Sequence, residues 1–166
     1  MALVIEDGSQ VAGANSYITV AELRAFGLAR SSGLPTPNEE AESLLVRAMD
    51  YIEGMRSRFQ GKKTGATQPL QFPRKGLIID DEPFPDNAIP NELKNGQAQL
   101  AIDIFAGFDP MASSDGREVL REKVDVIETE YAQSSGSGSG PSIPKTMAFL
   151  EPLFGFNGAT LRTIRG

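Results

Sequence analysis

Between residues 58 and 90 the chain carries five of its eleven prolines, Pro69, Pro73, Pro83, Pro85 and Pro90, and shows no helical periodicity. Proline lacks a backbone N–H and clashes with the preceding helical turn, which together with the missing periodicity reads as a loop. It divides the chain into helical segments on either side. A loop of this length is uncommon inside a compact domain unless it is functional or ordered by a partner. Within it, Leu77-Ile78-Ile79 is the one run suited to a short strand.

On the N-terminal side, Leu3-Val4-Ile5 and Ala14-Asn15-Ser16-Tyr17-Ile18 read as short extended pieces separated by the turn Asp7-Gly8-Ser9. Thr19 and Glu22 form a capping box, which predicts a helix over 20–29 burying Leu23, Phe26 and Ala29. Thr36-Pro37-Asn38 followed by Glu39 and Glu40 opens a second helix. Its apolar positions Ala41, Leu44, Leu45, Ala48, Met49, Ile52 and Met55 hold one face over four turns. A third helix starts after Pro90 with Asn91 as its expected cap, and presents Leu93, Gln97, Leu100, Ala101, Ile104 and Phe105 at helical spacing. Beyond it, 119–124 and 126–131 alternate as β-strands do, as a strand pair or one bent strand.

The run 134–140 is Ser-Ser-Gly-Ser-Gly-Ser-Gly. With the residues up to Pro144 it reads as a flexible tether whose coil dimension is on the order of 18 Å. A short amphipathic helix over 145–154 follows, carrying Met147, Phe149, Leu150, Leu153 and Phe154. After it comes an arm with Arg162 and Arg165 and no acid. These residues form the expected docking element, which must find its surface on its own fold or on another subunit. The organisation is thus a helical core over 1–133 with the loop 58–90, a linker over 134–144, and a docking helix and arm over 145–166. The fold class is mainly α: a small bundle of about four helices with a minor β hairpin, an extended loop and a C-terminal arm.

Composition removes most chemistry. The chain has no His, no Cys and no Trp, which excludes thiol nucleophiles, Ser-His-Asp triads, imidazole acid-base catalysis and Cys/His zinc sites. Carboxylates remain. Yet Asp80-Asp81-Glu82 lacks the spacing of a cation loop and reads as a solvated turn, and no pair of acids is spaced for hydrolysis. Gly61-Lys62-Lys63-Thr64 only superficially resembles a phosphate loop, because Arg56 stands where the first glycine belongs and Lys63 where a Ser or Thr belongs. No catalytic, cofactor-binding or metal-binding residues are expected. The N-terminus lacks a signal-peptide pattern and no apolar run reaches the ~20 residues that span a bilayer, so the expectation is synthesis as a soluble intracellular protein with no membrane partner.

Charge is the remaining resource. There are 22 acidic and 16 basic residues, a net charge of −6, which disfavours general binding to phosphate backbones. Locally the balance reverses. Arg56, Arg58, Lys62, Lys63, Arg74 and Lys75 occupy a window without an acid, interleaved with Phe59 and Phe72. This is a candidate subunit contact or nucleic-acid patch, the alternative being a solvated loop anchored by its phenylalanines. The following stretch, 76–92, holds five acids and no base, so adjacent subunits of a ring could pair plus to minus.

Four groups of residues stand in a telling order: Ala12-Gly13-Ala14-Asn15-Ser16-Tyr17; Arg47-Ala48-Met49-Asp50-Tyr51-Ile52 leading to Phe59-Gln60-Gly61-Lys62 and Gln68-Pro69-Leu70-Gln71-Phe72-Pro73-Arg74; Ile89-Pro90; and Arg121-Glu122-Lys123-Val124 before Tyr131. Together they resemble a family of tailed-bacteriophage and prophage proteins labelled DnaT-like single-stranded-DNA-binding proteins and similar in organisation to head-tail adaptor (head completion, connector) subunits. Phe59 and Phe72 stand where the family pattern has tryptophan, and phenylalanine is a weaker platform for stacked bases. The resemblance implies a structural adaptor subunit in a homo-oligomeric, twelve-fold ring. It would lie in the virion neck after synthesis in the host cytoplasm, between the portal protein and a tail or neck protein, with genomic dsDNA passing through the lumen without sequence-specific binding. Met147, Phe149, Leu150, Leu153, Phe154, Arg162 and Arg165 are then the candidates for docking onto the portal or a neighbouring subunit, and the alternative reading is single-stranded-DNA binding by 56–75.

Overall fold

The computed structural model describes residues 2–109, 117–123, 128–133 and 144–155. Four helices form the body: α1 (Val20–Leu28), α2 (Asn38–Gly54), α3 (Asn91–Phe105) and α4 (Pro144–Leu150), the last continuing into a 3-10 turn, Glu151–Leu153. Three antiparallel two-stranded pairs accompany them: β1 (Lys62–Lys63) with β2 (Arg74–Lys75), β3 (Ile78–Ile79) with β4 (Glu82–Pro83), and β5 (Arg117–Lys123) with β6 (Glu128–Gln133). The architecture is a small helix-dominated bundle with minor β hairpins, as the apolar spacing predicts.

Helix α3 is the centre, with α1, α2 and α4 all packed on it. Leu93, Gly96, Gln97, Ala98, Gln99, Leu100, Ala101 and Ile104 are buried, leaving little of the helix wet. Its small residues permit close approach: a Cβ on Gly96 would lie 2.6 Å from Cδ2 of Leu150 on α4. The α2 face is the one the spacing predicts, with Ala41, Leu44, Leu45, Ala48, Met49, Ile52 and Met55 all buried.

Three local expectations are corrected. On α1 the buried residues are Leu23 and Gly27, Ala29 is exposed, and Phe26 is half-buried between the Arg30 guanidinium, 3.4 Å from its ring centroid, and the Phe149 ring at 6.0 Å. Helix α3 is preceded by Pro90 in extended conformation rather than capped by the Asn91 side chain. Phe105, on the last turn of α3, is 48% exposed. The capping box at Thr19 and Glu22 is present.

The N-terminal segment is held by polar contacts. Glu6 is fully buried, and its carboxylate accepts from the backbone N–H groups of Gly8, Gln10 and Val11 at 2.8–2.9 Å. Gln97 clamps this segment to the bundle. Its Oε1 accepts from the Tyr17 N–H at 3.0 Å, and its Nε2 donates to Ser16 Oγ and to the Leu45 carbonyl at 2.9 and 3.0 Å.

Candidate functional site

The proline-rich segment is an ordered structure. Immediately after α2 the chain forms an antiparallel bridge, Phe59 to Phe154, with the C-terminal segment. The Gly155 N–H donates to the Arg58 carbonyl at 2.7 Å, the Gln60 N–H to the Leu153 carbonyl at 2.9 Å, and Gln60 Nε2 to the Pro152 carbonyl at 2.9 Å. The same Gln60 accepts on Oε1 from the Ile78 N–H. One glutamine therefore joins the end of α2, the C-terminal turn and the β3–β4 hairpin.

Arg74 is the second tie. It is 6% exposed, with Nε donating to the Gln60 carbonyl at 2.6 Å, Nη2 to the Gly61 carbonyl at 2.8 Å and Nη1 to Gln71 Oε1 at 3.1 Å. Burial lowers its pKa from the ordinary arginine value, opposed by the nearby Tyr17 and Glu53. Gly61 lies at φ +61°, and a Cβ there would collide with the Lys75 carbonyl. Gln68 is also buried, and its amide donates to the Leu70 and Pro73 carbonyls while its Oε1 accepts from the Gly65 N–H. Tyr17 completes the network: its hydroxyl donates to Glu53 at 2.7 Å and accepts from the Phe72 N–H at 3.3 Å. Burial, then the adjacent Glu53 carboxylate, push the Tyr17 phenol well above its ordinary value.

These ties decide which charges reach solvent. Arg56, Arg58, Lys62 and Lys75 are exposed and Lys63 is half-buried, its Nζ donating to the Gln68 carbonyl at 3.1 Å. The β1–β2 register sets Lys62 opposite Lys75 and Lys63 opposite Arg74, and like charges directly across a ladder repel. Of the six bases in the window, four therefore present a cationic surface, Lys63 is half-buried and tied to Gln68, and Arg74 serves the fold.

The interleaved rings are not part of that surface. Phe59 is 6% exposed and Phe72 fully buried, packed edge to face at 5.1 Å. Phe72 meets Tyr17 at 6.3 Å, also edge to face. Neither ring offers a face to a nucleobase. Arg58 instead covers the half-buried Phe154, its guanidinium 4.1 Å from the ring centroid.

Next to the cationic hairpin stands an acidic one. Asp80 and Asp81, at φ 53° and 65°, supply the two positive-φ positions of the turn joining β3 to β4, a conformation short polar side chains tolerate. Asp80, Asp81, Glu82 and Asp86 are exposed. Thr64 Oγ1, just past β1, donates to the Asp86 carbonyl at 2.9 Å and holds the two parts together. Among the described residues the ion pair is Arg47 with Asp109 at 3.9 Å, so the two surfaces do not neutralise each other. Among the same residues no cluster of acids could hold a metal ion, and no helix is long and apolar enough to cross a membrane.

The expected docking helix docks on its own chain. Leu150 and Leu153 are fully buried in the core, Met147 and Phe154 are half-buried against it, and Phe149 is half-buried beside the Phe26 ring. Of the two surfaces open to it, α4 finds the one on α3. Arg162 and Arg165, with the rest of 156–166 and 134–143, lie outside the described residues.

Sequence reasoning missed the supporting polar residues: Gln60, Gln68, Glu53 and the clamp made by Gln97. The last was visible as a polar residue on an otherwise apolar helix face.

The fold and this surface define a small helix-dominated protein whose exposed chemistry, among the described residues of 56–86, is charge on an ordered segment. Over residues 1–166 the chain matches the family described as "Putative DnaT-like ssDNA binding protein", and it belongs to that family. That description names a binding activity and no catalysed reaction. No curated protein and no solved structure matches the chain.

Proposed function

We propose that the chain is a structural head-tail adaptor subunit of a tailed-phage virion, forming a ring between portal and tail or neck proteins around the passing dsDNA. One observation carries the reading. A single ordered segment displays a cationic surface (Arg56, Arg58, Lys62, Lys75) beside an anionic one (Asp80, Asp81, Glu82, Asp86), with no ion pair between them among the described residues. Cyclic assemblies use heterologous contacts, in which two different patches of each subunit meet. Opposite unneutralised patches are suited to that geometry, and the overall charge of −6 suits a wall past which DNA slides. The test is the mass of the full-length protein in solution, alone and with portal protein. A closed oligomer is expected in at least one setting, and Lys62→Glu with Lys75→Glu is expected to dissociate it. A monomer in both settings defeats the reading.

The like-charged β1–β2 ladder favours a second reading, the DNA binding named by the family description. With Phe59 and Phe72 buried and Arg74 engaged internally, contact would fall on phosphates alone. Binding would then discriminate weakly between single and double strands. Four phosphate contacts give a log K against log salt slope of roughly −3 for single strands, and loss of either Lys62 or Lys75 should flatten it by about 0.7. Titration of labelled single and double strands at several salt concentrations measures this. No salt-dependent binding to either strand defeats this reading, and strong single-strand preference with a shallow slope would place the contact on bases rather than on this surface.

A further inference from the structure

Two parts of the chain that are far apart in sequence share one set of bonds. The segment 152–155, which follows α4, holds 58–60 through the Gly155 N–H on the Arg58 carbonyl, the Gln60 N–H on the Leu153 carbonyl and Gln60 Nε2 on the Pro152 carbonyl. The Arg58 guanidinium lies over the Phe154 ring, and that ring also packs on Phe59 with centroids 5.5 Å apart. From Gln60 the ties run on into the first hairpin. Its carbonyl accepts from Arg74 Nε, and the Gly61 carbonyl accepts from Arg74 Nη2. The register there sets Lys62 opposite Lys75. Arg58, Lys62 and Lys75 thus stand on a chain of bonds whose first link exists only while 152–155 is in its seat.

That seat depends on α4. Pro144–Leu150 has seven residues, below the roughly 12–15 that an isolated helix needs to persist in water, so α4 is helical because it is docked. Docking sets Leu150 against Gly96 and buries Leu150 and Leu153 completely. The Thr146 hydroxyl, also buried, donates to Asp103 of α3 at 3.1 Å. Helix, turn and the bridge to Phe59 are made or lost together, as one cooperative unit of the kind that opens locally before a whole fold does.

We propose that docking of α4 is thermodynamically coupled to binding of a DNA phosphate backbone at Arg56, Arg58, Lys62 and Lys75, so that the helix assembles the cationic surface and DNA in turn holds the helix down. This rests on the phosphate-binding reading of that surface and adds its regulation. A ligand shifts a conformational equilibrium only by preferring one state, and here the preference has a source. With α4 docked, the cations stand at a fixed spacing that successive phosphates can meet together. With α4 lifted, Arg58 loses the ring beneath it and Gln60 loses its ties to Pro152 and Leu153. Each phosphate contact must then order its own side chain, which costs affinity. Linkage makes the effect reciprocal: the factor that docking adds to DNA affinity is the factor that DNA adds to docking.

The absence of cysteine from the chain allows a single reporter thiol. Full-length Thr146→Cys places it at a buried position of α4, and full-length Ala25→Cys places a control on the exposed side of α1. Each is labelled with N-ethylmaleimide, alone and with an oligothymidylate whose saturation is fixed by anisotropy titration in the same buffer. The oligonucleotide should slow labelling of Thr146→Cys by about fivefold or more and leave Ala25→Cys unchanged. Unchanged or faster labelling on a saturated protein would overturn the coupling and leave the phosphate reading standing. Absence of any binding would overturn both. In the reciprocal arm, Leu150→Ala removes no cation, yet it should weaken oligonucleotide binding by about fivefold or more with the salt slope of the parent, because only the competent fraction falls. Parent affinity together with faster labelling of Thr146→Cys in that background would overturn the proposal. Should circular dichroism show that Leu150→Ala has also lost α1–α3, Phe154→Ala takes its place. That variant removes the ring under Arg58, keeps both buried leucines, and carries the same expected loss of affinity and the same refuting result.

Discussion

Replacing Arg74 with methionine keeps the buried stem and removes the guanidinium, which isolates what that group does. Its donated bonds go with it: three short ones to the Gln60 and Gly61 carbonyls and to Gln71 Oε1, and a long one to the Gln71 carbonyl at 3.5 Å. Hydrogen bonds from a charged donor contribute about 1.5–3 kcal/mol each, and buried carbonyls left without a donor add their own desolvation cost. Against this, the variant no longer holds a cation out of water, a cost visible in the lowered Arg74 pKa. The expected net loss is about 2–4 kcal/mol. With a urea m-value of about 2 kcal/mol/M, the unfolding midpoint should fall by roughly 1–2 M. Arg74→Lys should recover little, since an ammonium cannot fork across the two carbonyls. Circular dichroism in urea measures the midpoint, and DNA titration of the folded variant at low urea provides the control. A midpoint within about 0.3 M of the parent would refute the reasoning, as would loss of DNA binding at unchanged stability, because Arg74 would then be acting at the surface.

Further outcomes follow from other contacts. Tyr17→Phe should cost about 1–2 kcal/mol at neutral pH by removing the hydroxyl that links Glu53 to the Phe72 N–H. Because the folded state holds the Tyr17 proton beyond the pH near 10 where an unfolded tyrosine ionises, its stabilising effect is complete below that pH and declines above it. The gap between parent and Tyr17→Phe should therefore narrow from pH 9 to pH 11 in urea titrations, and a constant gap would contradict the assignment. Gly96→Ala forces Leu150 aside and should cost about 1–3 kcal/mol, while Leu150→Ala costs about 2–5 kcal/mol. The double variant should lose clearly less than their sum, and additivity in a double-mutant cycle would mean the two residues do not meet. Gln97→Met leaves the buried Tyr17 N–H without its acceptor and should lower stability by about 2–4 kcal/mol, read from the thermal midpoint.

The helices were legible because their signals are redundant. Apolar spacing, first-turn acids and proline boundaries all agree over 38–54, and the buried set of α2 is the set that spacing selects. The strand pair after α3 was legible from alternation, with the choice between a pair and a bent strand settled by the β5–β6 register. The interior of 58–90 was not. Its strands are two residues long, too short for any period, and the order comes from side chains bonding backbone carbonyls across the segment. The candidate site was half legible for the same reason: a run of bases is visible in a sequence, but which base turns inward depends on carbonyls brought near by folding. Arg74 and Lys75 are neighbours in the chain and opposites in role. The burial of Phe72 likewise follows from its packing against Tyr17, a residue far away in sequence, and that of Phe59 from its packing between Phe72 and Phe154.

The docking of α4 on α3 also has a consequence in time. During synthesis α3 emerges with the side that later receives Leu150 uncovered, and the residues that cover it end about fifty positions further on, at the Glu151–Leu153 turn. At translation rates of about 5–20 residues per second, the helix waits roughly 3–10 s before its last wall arrives. Throughout that interval neither the bridge from Phe59 to Phe154 nor the Gln60 ties to Pro152 and Leu153 can form. A nascent chain is therefore unfinished until residues 150–155 have been made, which delays the mature charged surface until its own fold is closed.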